Sequence, residues 1–222
     1  QGNRFTQMSQ SNFIKIPGAP LAYWANRNAI SAFLESSIYD VSISDGQNKT
    51  SNNDRYLRLF WEVKAKKVGK DKHYKFYAKG GDFRKWYGNL EYIIDWSETA
   101  RAFYSASNSA RIIPEYLWDR EGITWTLLSS SRTGFRYLPK GATFDMTGSS
   151  IFIKDEADLA LVLGILNSNS AEYFLDILSS TIAYQIHEIR KVPIKYNTHR
   201  VHLRISEMTL QNIEISRHDW DS

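Results

Sequence analysis

The stretch from Gly122 to Ile153 constrains this chain most. Its apolar content falls into four short runs, ITWTLL, FRYL, ATFDM and SIFI, punctuated by Gly134, Pro139, Gly141 and Gly148. None is long enough to wind a stable helix, whereas short β-branched and aromatic runs bounded by turn formers suit strands. The pattern then changes abruptly. DEADLALVLGILNSNSAEYFLDILSS (Asp155–Ser180) reads as a helical pair broken at Asn167–Ser168. Asp155 and Ser170 are placed to cap its two helices, and Tyr173, Phe174, Ile177 and Leu178 form an apolar stripe on the second. Strands followed by helices predict an α+β fold: a mixed or antiparallel sheet of short strands with packed helices.

The flanks extend this reading. Asn26–Ser36 predicts a short helix with Ile30, Phe33 and Leu34 on one face, and Ser44–Asp54 a loop rich in Gly, Asn and Ser. RYLRLFWEVKA (Arg55–Ala65) predicts a strand from about Leu59, whose alternation turns Trp61 and Val63 inward and Glu62 and Lys64 outward. KHYKFYAKGGDFRKWYGNLEYIIDW predicts a strand, a sharp turn at Gly80–Gly81 and a returning strand from about Leu90 to Trp96, with a helix near Glu98–Ser105. IRKVPI reads as a last strand. The tail reads as a helix carrying Val201, Leu203, Ile205, Met208, Leu210 and Ile213. The expected organisation is one domain over residues 1–196 and a terminal helix, 197–222, leading onward. The chain starts at Gln1 without an initiator Met and reads as part of something longer.

Composition removes several function classes. Among 222 residues there is no cysteine, so disulfides and thiolate metal sites are excluded, in keeping with a reducing cytoplasm. No apolar run approaches the roughly 18 residues that span a bilayer, so no membrane partner is expected. The net charge of +4 is mild but unevenly distributed. Residues 63–86 hold nine Lys or Arg against two Asp; residues 151–196 hold four basic and six acidic residues. A local basic patch is an electrostatic footprint for a polyanion, or simply a solvated lysine-rich loop.

Catalytic signatures are mostly missing. There is no Gly-x-Gly nucleotide loop, no Gly-Lys-Ser/Thr phosphate loop and no Gly-x-Ser-x-Gly elbow. His199 and His202 are three apart, but a catalytic zinc needs a third protein ligand and His73, His187 and His218 are scattered, so no metal site is expected. One pattern survives. Asp54 upstream of Glu62-Val63-Lys64 matches the loose arrangement by which restriction-type nucleases hold Mg²⁺ on two carboxylates beside a lysine.

Seven segments in order carry a more specific signal: IPGAPLAYW, NNDRYLRLFWEV, YAKGGDFRKWYGNLEYIIDW, REGITWT, FRYLPKGATFD, LVLGILNS and NIEISRHDWDS. Together they resemble the C-terminal part of PglX-type adenine-specific DNA methyltransferases of BREX phage-defence systems, relatives of single-chain type II restriction–modification enzymes. The resemblance spans essentially the whole chain. TIAYQIHEIRKVPI (Thr181–Ile194) is similar to the closing element of specificity domains in type I restriction systems.

The resemblance implies a target-recognition domain, with a fold like that of restriction–modification specificity subunits. The family's catalytic motif, Asn-Pro-Pro-Tyr, cannot occur here, because the five prolines (17, 20, 114, 139, 193) are never adjacent. The parent enzyme would use S-adenosylmethionine to methylate adenine N6 after base flipping. This segment would carry no catalytic residue and no cofactor. Its partners would be double-stranded DNA, its own methyltransferase domain and other phage-defence proteins. For phosphate contacts the candidates are Lys64, Lys66, Lys67, Lys70, Lys72 and Lys75. On the Gly–Gly turn Lys79, Arg84 and Lys85 join them, with Arg84 best suited to forked base reading and Trp86 and Tyr87 placed either to brace the loop or to pack against a sugar. Arg55, Arg58, Arg132 and Arg136 complete the set. The alternatives are the nuclease of Asp54, Glu62 and Lys64, or a protein-interaction domain of the defence complex.

Overall fold

The computed structural model describes residues 14–222 except 19, 21, 23, 130, 131, 180, 196 and 197. Along the chain come α1 (Arg27–Ala32), α2 (Ile38–Val41), β1 (Ser42–Ile43), α3 (Asn53–Tyr56), β2 (Leu57–Leu59), β3 (Tyr74–Ala78), β4 (Tyr92–Asp95) and α4 (Glu98–Ala106). There follow β5 (Gly122–Trp125), β6 (Phe135–Leu138), β7 (Ala142–Phe144), β8 (Ser150–Ile153), α5 (Leu159–Leu166), α6 (Asn169–Leu178), α7 (Ile186–Ile189) and α8 (His199–Asp221).

The strands form two four-stranded sheets, so the fold is α+β as the sequence predicts. The first has the order β1-β8-β5-β6 and is antiparallel throughout. The second has the order β2-β4-β3-β7, with β7 parallel to β3 and the other pairs antiparallel. Sheet one buries Ile123, Trp125, Phe135, Ile151 and Ile153 against Leu159, Val162, Leu163 and Leu166 of α5 and Leu175 of α6. These strands are buried along nearly their whole length, which is why they read as continuous apolar runs rather than alternating ones. Sheet two packs Tyr77 and Ile94 against Ala100 and Tyr104 of α4. Ala78, Leu138, Phe144 and Phe152 fill the space between the sheets, where the Phe144 and Phe152 rings lie 5.8 Å apart.

Local chemistry sets the helix starts. The side chains of Asn26, Ser97 and Ser168 accept from the backbone N–H three residues on, satisfying donors that a helix start leaves orphaned. Ser168, rather than Ser170, caps α6, and Asp155 caps a 3₁₀ turn (Glu156–Asp158) that feeds α5. α8 lies along α5, with Ile205 and Thr209 over Gly164 and Ile213 in the core of sheet one. The rest of its apolar content stays at the surface: Val201, Leu203, Met208 and Leu210 are exposed.

Three further expectations change. The predicted strand from Leu59 instead ends there, and Phe60–Glu62 form a 3₁₀ turn, because the backbone N–H of Leu59 is taken by Glu62 Oε2 at 2.7 Å. Trp61 therefore faces solvent. IRKVPI is not a strand: α7 occupies its start, and Pro193, which cannot donate to a ladder, makes only an isolated bridge to Ser37. Gly80–Gly81 do not make a tight hairpin. Both have positive φ (84° and 120°), but they open a long connection that returns only at Tyr92. No helix among the described residues is long and apolar enough to cross a membrane.

Candidate nucleic-acid interface

The basic residues of the 63–86 segment sit in three settings. The first is an outward strip. After the 3₁₀ turn at Phe60–Glu62, a second one (Ala65–Lys67) presents Lys66 and Lys67, flanked by Lys64, and a turn at Gly69–Lys72 presents Lys70 and Lys72. All five lysines are exposed, and none makes an ion pair among the described residues. The strip is nevertheless well held. Lys67 N–H donates to Lys64 O at 2.9 Å and Gly69 N–H to Tyr74 O at 2.9 Å. The β6–β7 turn presses against it: a Cβ at Gly141 would collide with the backbone nitrogen of Lys70. Charges on a rigid backbone keep their spacing, which matters for matching phosphates.

The second setting is inward. Lys75 is 2% exposed. Its ammonium pairs with Asp119 and lies 5.1 Å from the Trp96 ring centroid. Burial pulls its pKa below the usual lysine value, and Asp119 partly restores it. It lines a cleft of about 450 Å³ between Trp96 and Trp118, where Lys72, Lys75 and Arg101 meet Asp71, Glu115 and Asp119. Three cations facing three carboxylates leave little net field.

The third setting is the long connection after β3. Trp86 makes an isolated parallel bridge to Arg136 at the β6 edge of sheet one: Trp86 N–H donates to Phe135 O at 2.9 Å and Tyr137 N–H to Trp86 O at 2.8 Å. Trp86, at φ 72°, and Tyr87 of this connection pack on the core, the first of the two roles the sequence allows them. Its cations are already engaged. Arg84 Nη1 donates to Asp219 Oδ2 of α8 at 2.7 Å, and the guanidinium stands 5.1 Å from the Trp220 ring. Lys85 Nζ donates to Asn167 O at 2.9 Å; Lys79 Nζ lies 3.6 Å from Asp145 and 5.5 Å from the Tyr92 ring.

Of the other arginines, Arg136 is the most altered from its expected role. It is 1% exposed and donates to the carbonyls of Arg84 and Gly134 at 3.3 Å, which ties the loop to β6 and leaves its guanidinium no surface. Burial pushes its pKa down to about 10. Arg58 is exposed, with Nη1 donating to the carbonyls of Asp54 and Leu57. Arg55 covers the Tyr56 ring at 5.1 Å, and Arg132 pairs with Glu172 at 2.7 Å. The nuclease arrangement does not assemble in the way a strand would present it. Glu62 sits on a 3₁₀ turn with one carboxylate oxygen bonded to Leu59 N–H. It shares a shallow pocket with Asp54, Arg58 and Lys79, and Lys64 does not line that pocket. No group of three or more His, Asp or Glu that could hold a metal occurs among the described residues.

Sequence reasoning missed the exposed rings. Phe60 and Trp61 are 40% and 61% exposed, with Tyr92 at 38% on the neighbouring strand. The signal was the Glu three residues after Leu59, which forms a capping contact and stops the strand.

No protein-family profile matches the chain. Two curated proteins do, each aligning with 99% of this chain. It is 35% identical to the adenine-specific methyltransferase PglX of Lacticaseibacillus casei (strain Zhang) over 238 aligned residues. It is 32% identical to the adenine-specific methyltransferase BrxX of Escherichia coli O9:H4 (strain HS) over 225. The chain spans 20% and 18% of the lengths of these relatives. Sequence identity at this level, sustained from end to end, makes this chain homologous to one region of the PglX-type adenine-specific methyltransferases.

Proposed function

We propose that this chain is the DNA-recognition region of an S-adenosylmethionine-dependent adenine-N6 DNA methyltransferase of the BREX type, with catalysis carried by another part of the protein. Residues 1–196 form the recognition unit, and α8 is the strut that holds it to the remainder. The observation that carries this reading is the outward strip of Lys64, Lys66, Lys67, Lys70 and Lys72, exposed and without ion pairs among the described residues, with the β6–β7 turn packed against Lys70 and two exposed aromatic rings beside it. Five lysines of fixed spacing suit the phosphates of a duplex. Adenine-specific activity in the relatives supplies the reason for a duplex to be present. Lys75 and Arg136 are left out of the contact set, because both are buried inside the protein.

The test is a salt titration of duplex binding by the protein at its natural length. Each phosphate contact adds about 0.9 to the slope of log K against log salt, so the strip contributes about 4 to 5. Replacing Lys64, Lys66 and Lys67 together by Ala lowers the slope by about 2.7. Binding that is absent or insensitive to salt would sink the reading.

A further inference from the structure

Trp61 is among the most exposed large rings of the protein, and its presentation is rigid. β2 is zipped to β4 up to the Leu59–Tyr92 pair. The next backbone amide, Phe60 N–H, still donates to Glu91 O at 2.9 Å, and Glu62 closes the turn from the far side by accepting from Leu59 N–H. The Phe60 ring leans toward Phe76 of β3 at 6.5 Å and meets the Trp61 ring edge-to-face at 5.0 Å. Phe60 is thus the brace and Trp61 the projecting edge. Two backbone bonds on the residues before it, Leu59 and Phe60, and one ring contact set the direction in which the indole projects.

The surroundings select what this edge meets. Lys64, Lys66 and Lys67 follow within six residues on the next 3₁₀ turn, exposed and without ion pairs among the described residues. Two carboxylates are near, Asp54 and Glu62. They line the shallow pocket of Arg58, Lys79 and Tyr92, and Glu62 is already bonded to backbone. A rigid apolar wedge next to unpaired cations is the chemistry that opens a base step while phosphates are held on either side. An acidic protein surface would satisfy the cations but gives no reason for a flat ring to be held on edge.

We propose that Trp61, braced by Phe60, enters duplex DNA at an unstacked base step and stacks on a base there, with Lys64, Lys66 and Lys67 gripping the flanking phosphates. The inference rests on the DNA-recognition reading above, and the experiment separates the two. Duplexes are selected from a random pool by the wild-type protein at its natural length, and 2-aminopurine is then placed along the selected sequence. Wild-type protein raises 2-aminopurine fluorescence at one step. Trp61→Ala abolishes that rise and weakens binding by about 5- to 150-fold, the loss expected for one base stack, with the salt slope unchanged. Trp61→Phe keeps most of both signals, which also shows that the site folds. The Lys64/Lys66/Lys67→Ala variant lowers the salt slope instead. If Trp61→Ala binds and brightens 2-aminopurine like wild type while the lysine variant weakens binding, the wedge is refuted and the recognition reading stands. If the wild-type protein selects no duplex, both fall. If Trp61→Ala leaves DNA untouched and instead releases a partner protein, the ring belongs to a protein interface and the wedge is refuted.

Discussion

The strip from Phe60 to Lys72 and the connection from Lys79 to Tyr92 both combine cations with aromatic rings, five lysines behind two rings in the first and three cations among four rings in the second, and have opposite uses. In the strip the lysines face water and Trp61 projects. In the connection, Arg84 is taken by Asp219 and Trp220, Lys85 by Asn167 O and Lys79 by Asp145, while Trp86 and Tyr87 pack on the core. The difference lies in what each segment lies against. The connection runs beside β6 and under the C-terminal end of α8, where acceptors and rings are waiting. The strip borders a turn and open solvent. A cation-rich segment is therefore a surface only where the fold leaves it without partners.

Perturbing the inward side should have the largest effect on stability. Arg136→Ala removes a fully buried side chain, leaves the carbonyls of Arg84 and Gly134 without their donor and opens a cavity. We expect a loss of about 3 kcal/mol in urea unfolding, with faster hydrogen exchange at the Tyr137 amide that pairs with Trp86. Arg136→Met, which keeps the volume and discards the buried charge, should recover much of that loss. If Arg136→Ala unfolds like wild type, the connection is not anchored through β6 and the contrast with the strip is weaker than drawn.

Asp119→Asn comes next. It preserves the shape of a residue at φ 59°, a backbone region that Asn tolerates, and strips Lys75 of its counter-charge. A loss of about 3 kcal/mol near neutral pH is the upper expectation for an uncompensated buried ammonium. The pH dependence has a definite sign. Burial already holds the folded-state pKa of Lys75 below 10.5, and removing Asp119, which raises it, lowers it further. Between that depressed value and 10.5 the unfolded chain binds more protons than the folded one, so stability rises with pH. Urea midpoints for the variant should approach those of wild type as pH climbs toward 10.5. A gap that widens with pH would refute the assignment.

Much of this contrast was hidden in the sequence for identifiable reasons. Strands β5, β6 and β8 and helix α5 were legible, because burial on both faces makes runs such as SIFI and LALVLGIL unmistakably apolar, and α6 was legible from its apolar stripe; the two-residue β1 was not. The end of β2 was not. Leu57–Leu59 and Phe60–Glu62 share one apolar pattern, and only the bond from Leu59 N–H to Glu62 separates strand from turn. Lys75 and Arg136 read as surface cations because their partners, Asp119 and the Arg84 and Gly134 carbonyls, come together only through the fold. The lysines of the strip are exposed and make no ion pair among the described residues, even though Asp71 lies between Lys70 and Lys72 and Lys72 borders the cleft that holds Glu115 and Asp119.

The outward side should show the smallest effect on stability. Replacing Lys64, Lys66 and Lys67 by Ala removes three exposed ammonium groups that make no ion pair among the described residues, and the turns there are held by backbone bonds such as Lys67 N–H to Lys64 O. Surface substitutions of this kind change stability by about 0.5 kcal/mol or less each, and relief of like-charge repulsion acts against any loss. The variant should therefore unfold within about 1 kcal/mol of wild type in urea at low salt, and the difference should shrink as salt screens the remaining lysines. A loss comparable to that of Arg136→Ala would mean that the strip, like the connection after β3, is engaged by the protein itself, and the division between an outward and an inward basic segment would not hold.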